Sequence, residues 1–92
     1  MIIRILGEGQ RELDDQYEPE LNRLDDALTQ AVKAGDEAAY ERDLAALLQQ
    51  VRAVGTPLPD DSLAASDAIL PGEGSTLDEV RALLGEQGLI PG

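Results

Sequence analysis

Apolar residues between Glu18 and Val54 recur with the period of an α-helix, in two successive stretches. In each stretch the spacing is mostly three or four positions, which places the apolar side chains on one stripe of a helix. The first stripe contains Leu21, Leu24, Leu28, Ala31 and Val32, and the second contains Tyr40, Leu44, Leu47, Leu48, Val51 and Val54. The pattern therefore predicts two amphipathic helices of similar length.

The turn between these two helices is predicted by Gly35 and Asp36. Glycine suits the left-handed conformation that ends a helix, and an aspartate can accept a hydrogen bond from the first free amides of the next helix. So short a connection makes the helices antiparallel neighbours. We therefore expect a helical hairpin that begins near Pro19 and ends at Gly55, and the rest of the chain is organised around it.

The N-terminal residues have the pattern of a β-hairpin. Residues 1–6 are apolar and rich in β-branched side chains, which is typical of a strand that is covered on most of both faces. Residues 7–9 interrupt this run with two glycines, as a short hairpin loop requires, and residues 10–13 are the candidate returning strand. Residues 68–70 are a second short apolar run, which is either a third strand beside residues 1–6 or a packed extended segment.

One further helix is predicted near the C-terminus. Thr76 and Glu79 have the spacing of a capping box. The apolar residues that follow the cap are Leu77, Val80, Leu83 and Leu84. We expect this helix to end at Gly85 or Gly88, and Leu89 or Ile90, in the apolar C-terminal run 89–91, to fold back onto its end.

These elements predict one α+β domain over residues 1–92. It consists of a small antiparallel sheet, formed by the N-terminal hairpin with or without a strand at residues 68–70, together with the long antiparallel helical hairpin and the short C-terminal helix. The sequence contains no Phe or Trp, so the core is aliphatic and modest in size. Self-association or a partner could complete such a core.

The composition narrows the classes of function. The formal net charge is −12, with acidic residues spread along the chain, which argues against binding to nucleic acid or to anionic lipid. A basic protein partner is compatible with this charge, and ordinary solubility explains it equally well. No apolar run approaches the roughly 20 residues of a membrane span, and the N-terminal run is too short for the core of a signal peptide. We therefore expect a cytoplasmic protein.

The sequence offers little material for catalysis. It has no cysteine and no histidine, which excludes thiol chemistry, a Ser-His-Asp triad and the commonest zinc ligand. Adjacent aspartates occur at positions 14–15, 25–26 and 60–61, and we interpret all three pairs as solvent-exposed surface or helix-start charge, because they lack the spacing of a calcium loop. The two Gly-x-Gly sequences lack the third glycine of a dinucleotide fingerprint and are interpreted as turns. We expect neither enzymatic activity nor a cofactor nor a metal site.

Several stretches together carry a resemblance to a known family. They are Met1-Ile2-Ile3-Arg4-Ile5-Leu6-Gly7-Glu8-Gly9-Gln10, Val54-Gly55-Thr56-Pro57-Leu58-Pro59-Asp60-Asp61, Ser66-Asp67-Ala68-Ile69-Leu70-Pro71, and the C-terminal run from Leu77 to Gly92. In these stretches, and in their order, the chain resembles the PspA-associated proteins, or PspAA family. The resemblance covers nearly all 92 residues.

This resemblance implies an accessory role in the phage-shock, or envelope-stress, response. PspA itself is a coiled-coil, ESCRT-III-like protein that guards the cytoplasmic membrane. A similar chain would be a non-enzymatic regulator that binds a PspA-type coiled coil and is recruited through it to the inner face of the membrane, without inserting into the membrane itself. The resemblance carries no catalytic residues.

Two surfaces are the candidate partner-binding sites. One is the strand edge around Arg4, Leu6, Glu8 and Gln10, and the other is the apolar pair Leu89 and Ile90. Both surfaces could instead be internal packing or the seam of a homodimer. The alternative functions are a self-associating structural domain with another protein partner and, from the enzyme class, a metal-dependent activity at the clustered aspartates.

Overall fold

The computed structural model describes residues 1–84 and 88–90 and has the predicted α+β architecture. Its elements in chain order are β1 (Ile2–Ile5), β2 (Gly9–Glu12), a 3-10 turn (Asp15–Tyr17), α1 (Glu18–Ala34), α2 (Glu37–Val54), β3 (Thr56–Pro57), β4 (Ala68–Leu70) and α3 (Leu77–Leu83). A four-stranded sheet packs with two long helices and one short helix. The fold class predicted from the hydrophobic pattern is confirmed.

The helical hairpin forms as the turn residues predict. Gly35 adopts the left-handed conformation with φ of 69°, and its amide donates to the carbonyl oxygens of Ala31 and Val32. The carboxylate of Asp36 accepts a hydrogen bond of 3.1 Å from the amide of Ala39 and so caps α2. The helices pack closely against each other because only two residues separate them.

The sheet is mixed, with strand order β3-β2-β1-β4. β1 pairs with β2 in the predicted antiparallel hairpin, whereas β4 pairs with β1 in parallel, with Ile3 opposite Ala68 and Ile5 opposite Leu70. Residues 68–70 are therefore the third strand, but the sheet is not purely antiparallel as expected. β3 was not predicted, because two residues that include a proline carry no strand pattern.

The core lies between one face of the sheet and the helical hairpin. Ile3, Ile5 and Leu70 point into it from the sheet and are fully buried. The helices contribute the buried residues Leu21, Leu28, Ala31, Val32, Tyr40, Leu44, Leu47, Leu48 and Val51. The helical stripes read from the sequence are thus the core stripes, with Leu24 and Val54 packed at its margin.

The other face of the sheet is crossed by the connector between β3 and β4. Because β3 and β4 lie at opposite edges, residues 58–67 must pass from one edge to the other. The side chain of Gln10 on this outer face donates to the carbonyl oxygen of Ala64 and to Oγ of Ser66, both at 2.8 Å. The carboxylate of Asp67 accepts from the amide of Ile2 at 2.7 Å. Coverage of β1 on its second face is therefore partial, and Arg4 there is half-buried.

The C-terminal helix begins at its predicted cap. Oγ1 of Thr76 accepts a hydrogen bond of 3.2 Å from the amide of Glu79. The helix ends at Leu83, and Val80 is its one fully buried residue. The C-cap is Leu84, one residue before the predicted stop at Gly85, which lies outside the described residues, as does Pro91. The other predicted stop, Gly88, has a positive φ of 88°.

Replacing Leu47 with alanine should reduce the free energy of unfolding by about 2–5 kcal/mol, because this side chain is fully buried in a predominantly aliphatic core. Leu63→Ala is the matched control, since Leu63 is fully exposed and the same substitution there should change stability by less than about 0.5 kcal/mol. Urea unfolding followed by circular dichroism measures both. Equal effects of the two substitutions would contradict the described core.

Candidate functional site

An exposed apolar groove lies where the loop after β1 meets α3. We call it the Leu6–Leu83 groove, after the two large apolar residues that flank it. Its lining residues are Leu6, Pro71, Gly72, Ser75, Glu79, Ala82 and Leu83, and its volume is about 420 Å³. Leu6 is 46% exposed and Leu83 is 36% exposed. Large side chains of this kind are usually buried, so two of them on one groove mark a candidate interaction surface.

The sheet fixes one wall of the groove. The amide of Leu6 donates to the carbonyl oxygen of Leu70 at 3.0 Å, which extends the parallel pairing of β1 and β4 beyond the strands. Leu6 therefore sits directly beside Pro71, the first residue after β4. This wall is part of the sheet framework rather than an independent loop.

The opposite wall is positioned by α2 and the turn before α3. Oγ of Ser75 donates to the carbonyl oxygen of Gly72 at 2.6 Å and closes the turn. The hydroxyl of Tyr40, a buried residue of α2, donates to the carbonyl oxygen of Ser75 at 2.7 Å. Burial of this hydroxyl raises the pKa of Tyr40, so it remains a donor at neutral pH. The turn is thus anchored to the helical hairpin.

An ion-pair cluster joins the two loops beside the groove. The guanidinium of Arg52 contacts both carboxylate oxygens of Glu8, with Nε to Oε1 at 2.9 Å, and its Nη1 lies 3.4 Å from the carboxylate of Glu73. The hydrogen bond from Arg52 lowers the pKa of Glu8. A bidentate contact of this type restricts the positions of both side chains. The cluster therefore holds the β1–β2 loop close to the β4–α3 loop.

The electrostatics of the groove are acidic. Glu79 is the one charged residue among those that line it, and it is exposed. Glu8 and Glu73 lie in the adjoining loops and share the single positive charge of Arg52. The groove therefore combines an apolar floor with excess negative charge on its border.

The six predicted partner-binding residues are distributed over three places. Leu6 lines the groove and Glu8 belongs to the ion-pair cluster beside it. Arg4 and Gln10 lie opposite each other on the outer face of the sheet, and Gln10 is buried beneath the connector. Leu89 and Ile90 are buried. The region around Arg4 is not a sheet edge, because β1 is paired on both sides.

Asp25 explains why Leu89 and Ile90 are buried. Its carboxylate is only 1% exposed and accepts hydrogen bonds from the amides of Leu89, at 3.1 Å, and Ile90, at 2.9 Å. The prediction that the aspartates at positions 25–26 are solvent-exposed is therefore wrong for Asp25. Desolvation raises the pKa of this carboxyl, although the two amide donors act in the opposite direction.

The Asp25 contact also requires glycine at position 88. A Cβ atom there would lie 2.5 Å from Oδ2 of Asp25 and 3.0 Å from Oγ1 of Thr29, and φ of 88° disfavours other residues. This role could not be read from the sequence, since Asp25 and Gly88 are joined only by the tertiary fold. The segment 88–90 is consequently a fixed part of the core.

The adjacent aspartates Asp14 and Asp15 line a second cleft. A cleft of about 580 Å³ contains Asp14 and Asp15, but Asp14 accepts from the amide of Gln16 and Asp15 lies 3.6 Å from the N-terminal ammonium. Both carboxylates thus have local structural contacts. Over residues 1–84 and 88–90, no group of three or more acidic, histidine or cysteine side chains is placed to hold a metal ion.

Leu83 was not among the predicted partner-binding residues, although its sequence context gives a signal. The sequence pattern predicts it on the apolar face of α3, together with Leu77, Val80 and Leu84. Leu77, Val80 and Leu84 alone have the i, i+3, i+7 spacing of one stripe, so Leu83 is an additional apolar residue beside that stripe. Pro71, Ala82 and Glu79 carry no comparable signal, because their proximity to Leu6 depends on the parallel pairing of β4.

Comparison with known proteins gives one family match. The family model described as PspAA: PspA-Associated protein matches residues 1–92, which is the whole sequence and confirms the resemblance. No curated protein and no solved structure matches the chain. Among the helices in the described residues, none has both the length and the apolar character needed to cross a membrane.

Asp25→Asn should reduce the free energy of unfolding by about 1–3 kcal/mol, because the amide NH₂ would face one of the two buried amides and leave it without an acceptor. Amide hydrogen exchange at Leu89 and Ile90 should accelerate in the same variant. Asp26→Asn is the matched control, since Asp26 is exposed. Unchanged exchange at both amides in Asp25→Asn would contradict the contact.

Glu8→Gln should weaken the dependence of stability on acid pH. The pKa of Glu8 is lowered in the folded state, so its stabilising effect is complete above its usual value of 4.5 and is lost as the pH falls through the lowered pKa. The wild type should therefore lose about 1 kcal/mol more than the variant between neutral pH and pH 3, and less in high salt, since the pair is about one-third exposed.

The measurement is urea unfolding at a series of pH values for the wild type and for Glu8→Gln. Glu41→Gln, at an exposed position of α2, serves as the control for loss of one negative charge. Parallel pH profiles for Glu8→Gln and the wild type would show that the Arg52 cluster does not stabilise the loops.

Proposed function

Because the chain belongs to the PspA-associated protein family, we propose that it is a non-enzymatic accessory protein that binds a PspA-type coiled-coil protein. The family name supports a role linked to PspA. The observation that carries the binding proposal is the Leu6–Leu83 groove, in which apolar residues remain exposed on a surface held by the sheet and by α2. A coiled-coil protein presents helices, and an apolar groove is a common receptor for a helix.

Leu6 and Leu83 are the proposed contact residues. Both line the groove and both are exposed, so a partner helix seated in it would cover both side chains. Glu8 is proposed to act indirectly, because its contact with Arg52 holds the β1–β2 loop in place. Arg4 remains a secondary candidate on the half-covered outer face, and buried Gln10, Leu89 and Ile90 support the fold around these surfaces.

We further propose that the protein acts in the cytoplasm and reaches the inner face of the membrane through its partner. Its net charge of −12 would repel anionic lipid, so a protein-mediated route is favoured over direct adsorption. Self-association is the alternative use of the same exposed groove. The two uses differ in the mass of the species formed in solution.

Size-exclusion chromatography with light scattering, on the protein alone and with the PspA-type protein encoded by the same organism, tests the proposal. A shared peak is expected, and its mass gives the stoichiometry. Separate peaks at micromolar concentrations and low salt would contradict binding. A dimeric mass for the protein alone, with no shared peak, would favour self-association instead.

Leu6→Ser and Leu83→Ser should each weaken binding to the PspA-type protein by about tenfold, because each removes an apolar side chain that the partner helix would cover. Neither substitution changes the charge. Leu63→Ser is the matched control, since Leu63 is fully exposed but does not line the groove. Isothermal titration calorimetry measures the dissociation constants. An equal loss in all three variants would place the contact elsewhere.

A further inference from the structure

We propose that the segment bound in the Leu6–Leu83 groove is an amphipathic helix whose apolar ridge is bordered by lysine or arginine residues. This inference rests on the proposed function and deepens it by naming the chemistry of the contact. It is carried by the charges on and around the groove, considered together with the exposed apolar side chains.

The charges beside the groove do not cancel. Glu8 and Glu73 together have two negative charges and share the one positive charge of Arg52. On α3, the carboxylate of Asp78 lies 3.5 Å from the guanidinium of Arg81. Glu79 is left over as a negative charge in the lining itself. The six side chains named in this paragraph therefore have a formal net charge of −2, from four carboxylates and two guanidinium groups.

The shape of the groove favours a helix as the bound segment. One wall is the end of the sheet at Leu6 and Pro71, and the other is the exposed side of α3 at Ala82 and Leu83. A helix laid between these walls would present apolar side chains at positions i, i+3, i+4 and i+7 to the floor. Residues that flank this ridge would then lie beside Glu79 on α3 and Glu73 in the preceding loop.

A second copy of this chain fits the groove poorly. The chain has 19 acidic residues against seven Lys and Arg, and no Lys or Arg is among the residues that line the groove. An isologous contact would bring Glu79 of each copy towards the other acidic border, and like charges at an interface oppose association. A partner with cationic flanks gains attraction from the same groups.

The test uses two synthetic helical peptides of equal length with an identical leucine ridge. One peptide has lysine at the flanking positions and the other has glutamate. Fluorescence anisotropy with the full-length protein measures both affinities at low and at moderate salt. The lysine peptide should bind, with an affinity that falls as salt rises, and the glutamate peptide should bind at least about tenfold more weakly. Equal binding of the two peptides would overturn the inference.

Charge-reversal variants of the protein provide a second test with the lysine peptide. E79K should weaken the binding of the lysine peptide by about tenfold, since it replaces an attraction with a repulsion. D78K is the matched control, because it makes the same change of charge in the neighbouring residue of α3, which does not line the groove. D78K should weaken binding by less than about threefold. Equal losses of affinity in E79K and D78K would show that the overall charge of the protein, and not a charge in the groove, sets the affinity for the lysine peptide. That result would overturn the inference.

A separate control tests whether the Glu79 variants are folded. Thr76 caps α3 through the backbone amide of residue 79, which any side chain at that position retains. Circular dichroism and thermal unfolding confirm that E79K is folded, and Glu79→Gln provides a neutral variant with an intermediate expected loss of affinity. A loss in E79K that Glu79→Gln does not share in part would count against a direct charge contact.

The failure of this inference and the failure of the proposed function give different results. If the PspA-type protein binds the wild type and E79K with equal affinity, the charged contact is wrong and the proposed function stands. If the lysine peptide binds in a manner that depends on Glu79 and Leu83 while the PspA-type protein does not bind, the proposed partner is wrong and the chemistry of the groove stands.

Discussion

Burial of the aliphatic stripes of α1 and α2 against one face of the sheet is the interaction on which the rest of the structure depends. The chain has no Phe, Trp or Cys, so no disulfide contributes, and Tyr40 is the one aromatic side chain buried in the core of the described residues. The fully buried residues Ile3, Ile5 and Leu70 have their apolar partners on the helical hairpin. In a chain of 92 residues this single layer of contacts must supply most of the hydrophobic stabilisation.

The central position of β1 determines where the Leu6–Leu83 groove forms. Because β1 pairs with β2 on one side and β4 on the other, the residues that follow β1 and β4 emerge together at the same end of the sheet. Leu6 and Pro71 thereby become neighbours, and α3 closes the groove from the other side. Contacts of Tyr40 and Arg52 from α2 hold the surrounding loops, so the groove is coupled to the hairpin that forms the core.

The polar groups of the domain differ in their surroundings. Asp25 and Gln10 are buried and bind backbone or side-chain groups of distant segments, which makes them part of the framework. Glu79 is exposed beside an apolar groove and is available to a partner. Membership of the PspA-associated family and the acidic border of the groove together favour a protein partner with basic, helical character.

Local sequence patterns were enough to predict the helical hairpin, its turn at Gly35, the cap at Thr76 and the α+β class, because periodicity and capping are local properties. It also indicated the family, and it identified Leu6 as a candidate contact. The three-dimensional fold was needed to show that β4 runs parallel to β1, that Asp25 is buried against Leu89 and Ile90, and that Leu6 and Leu83 line one groove. These facts join segments far apart in the chain, and no local pattern encodes which distant segments will meet.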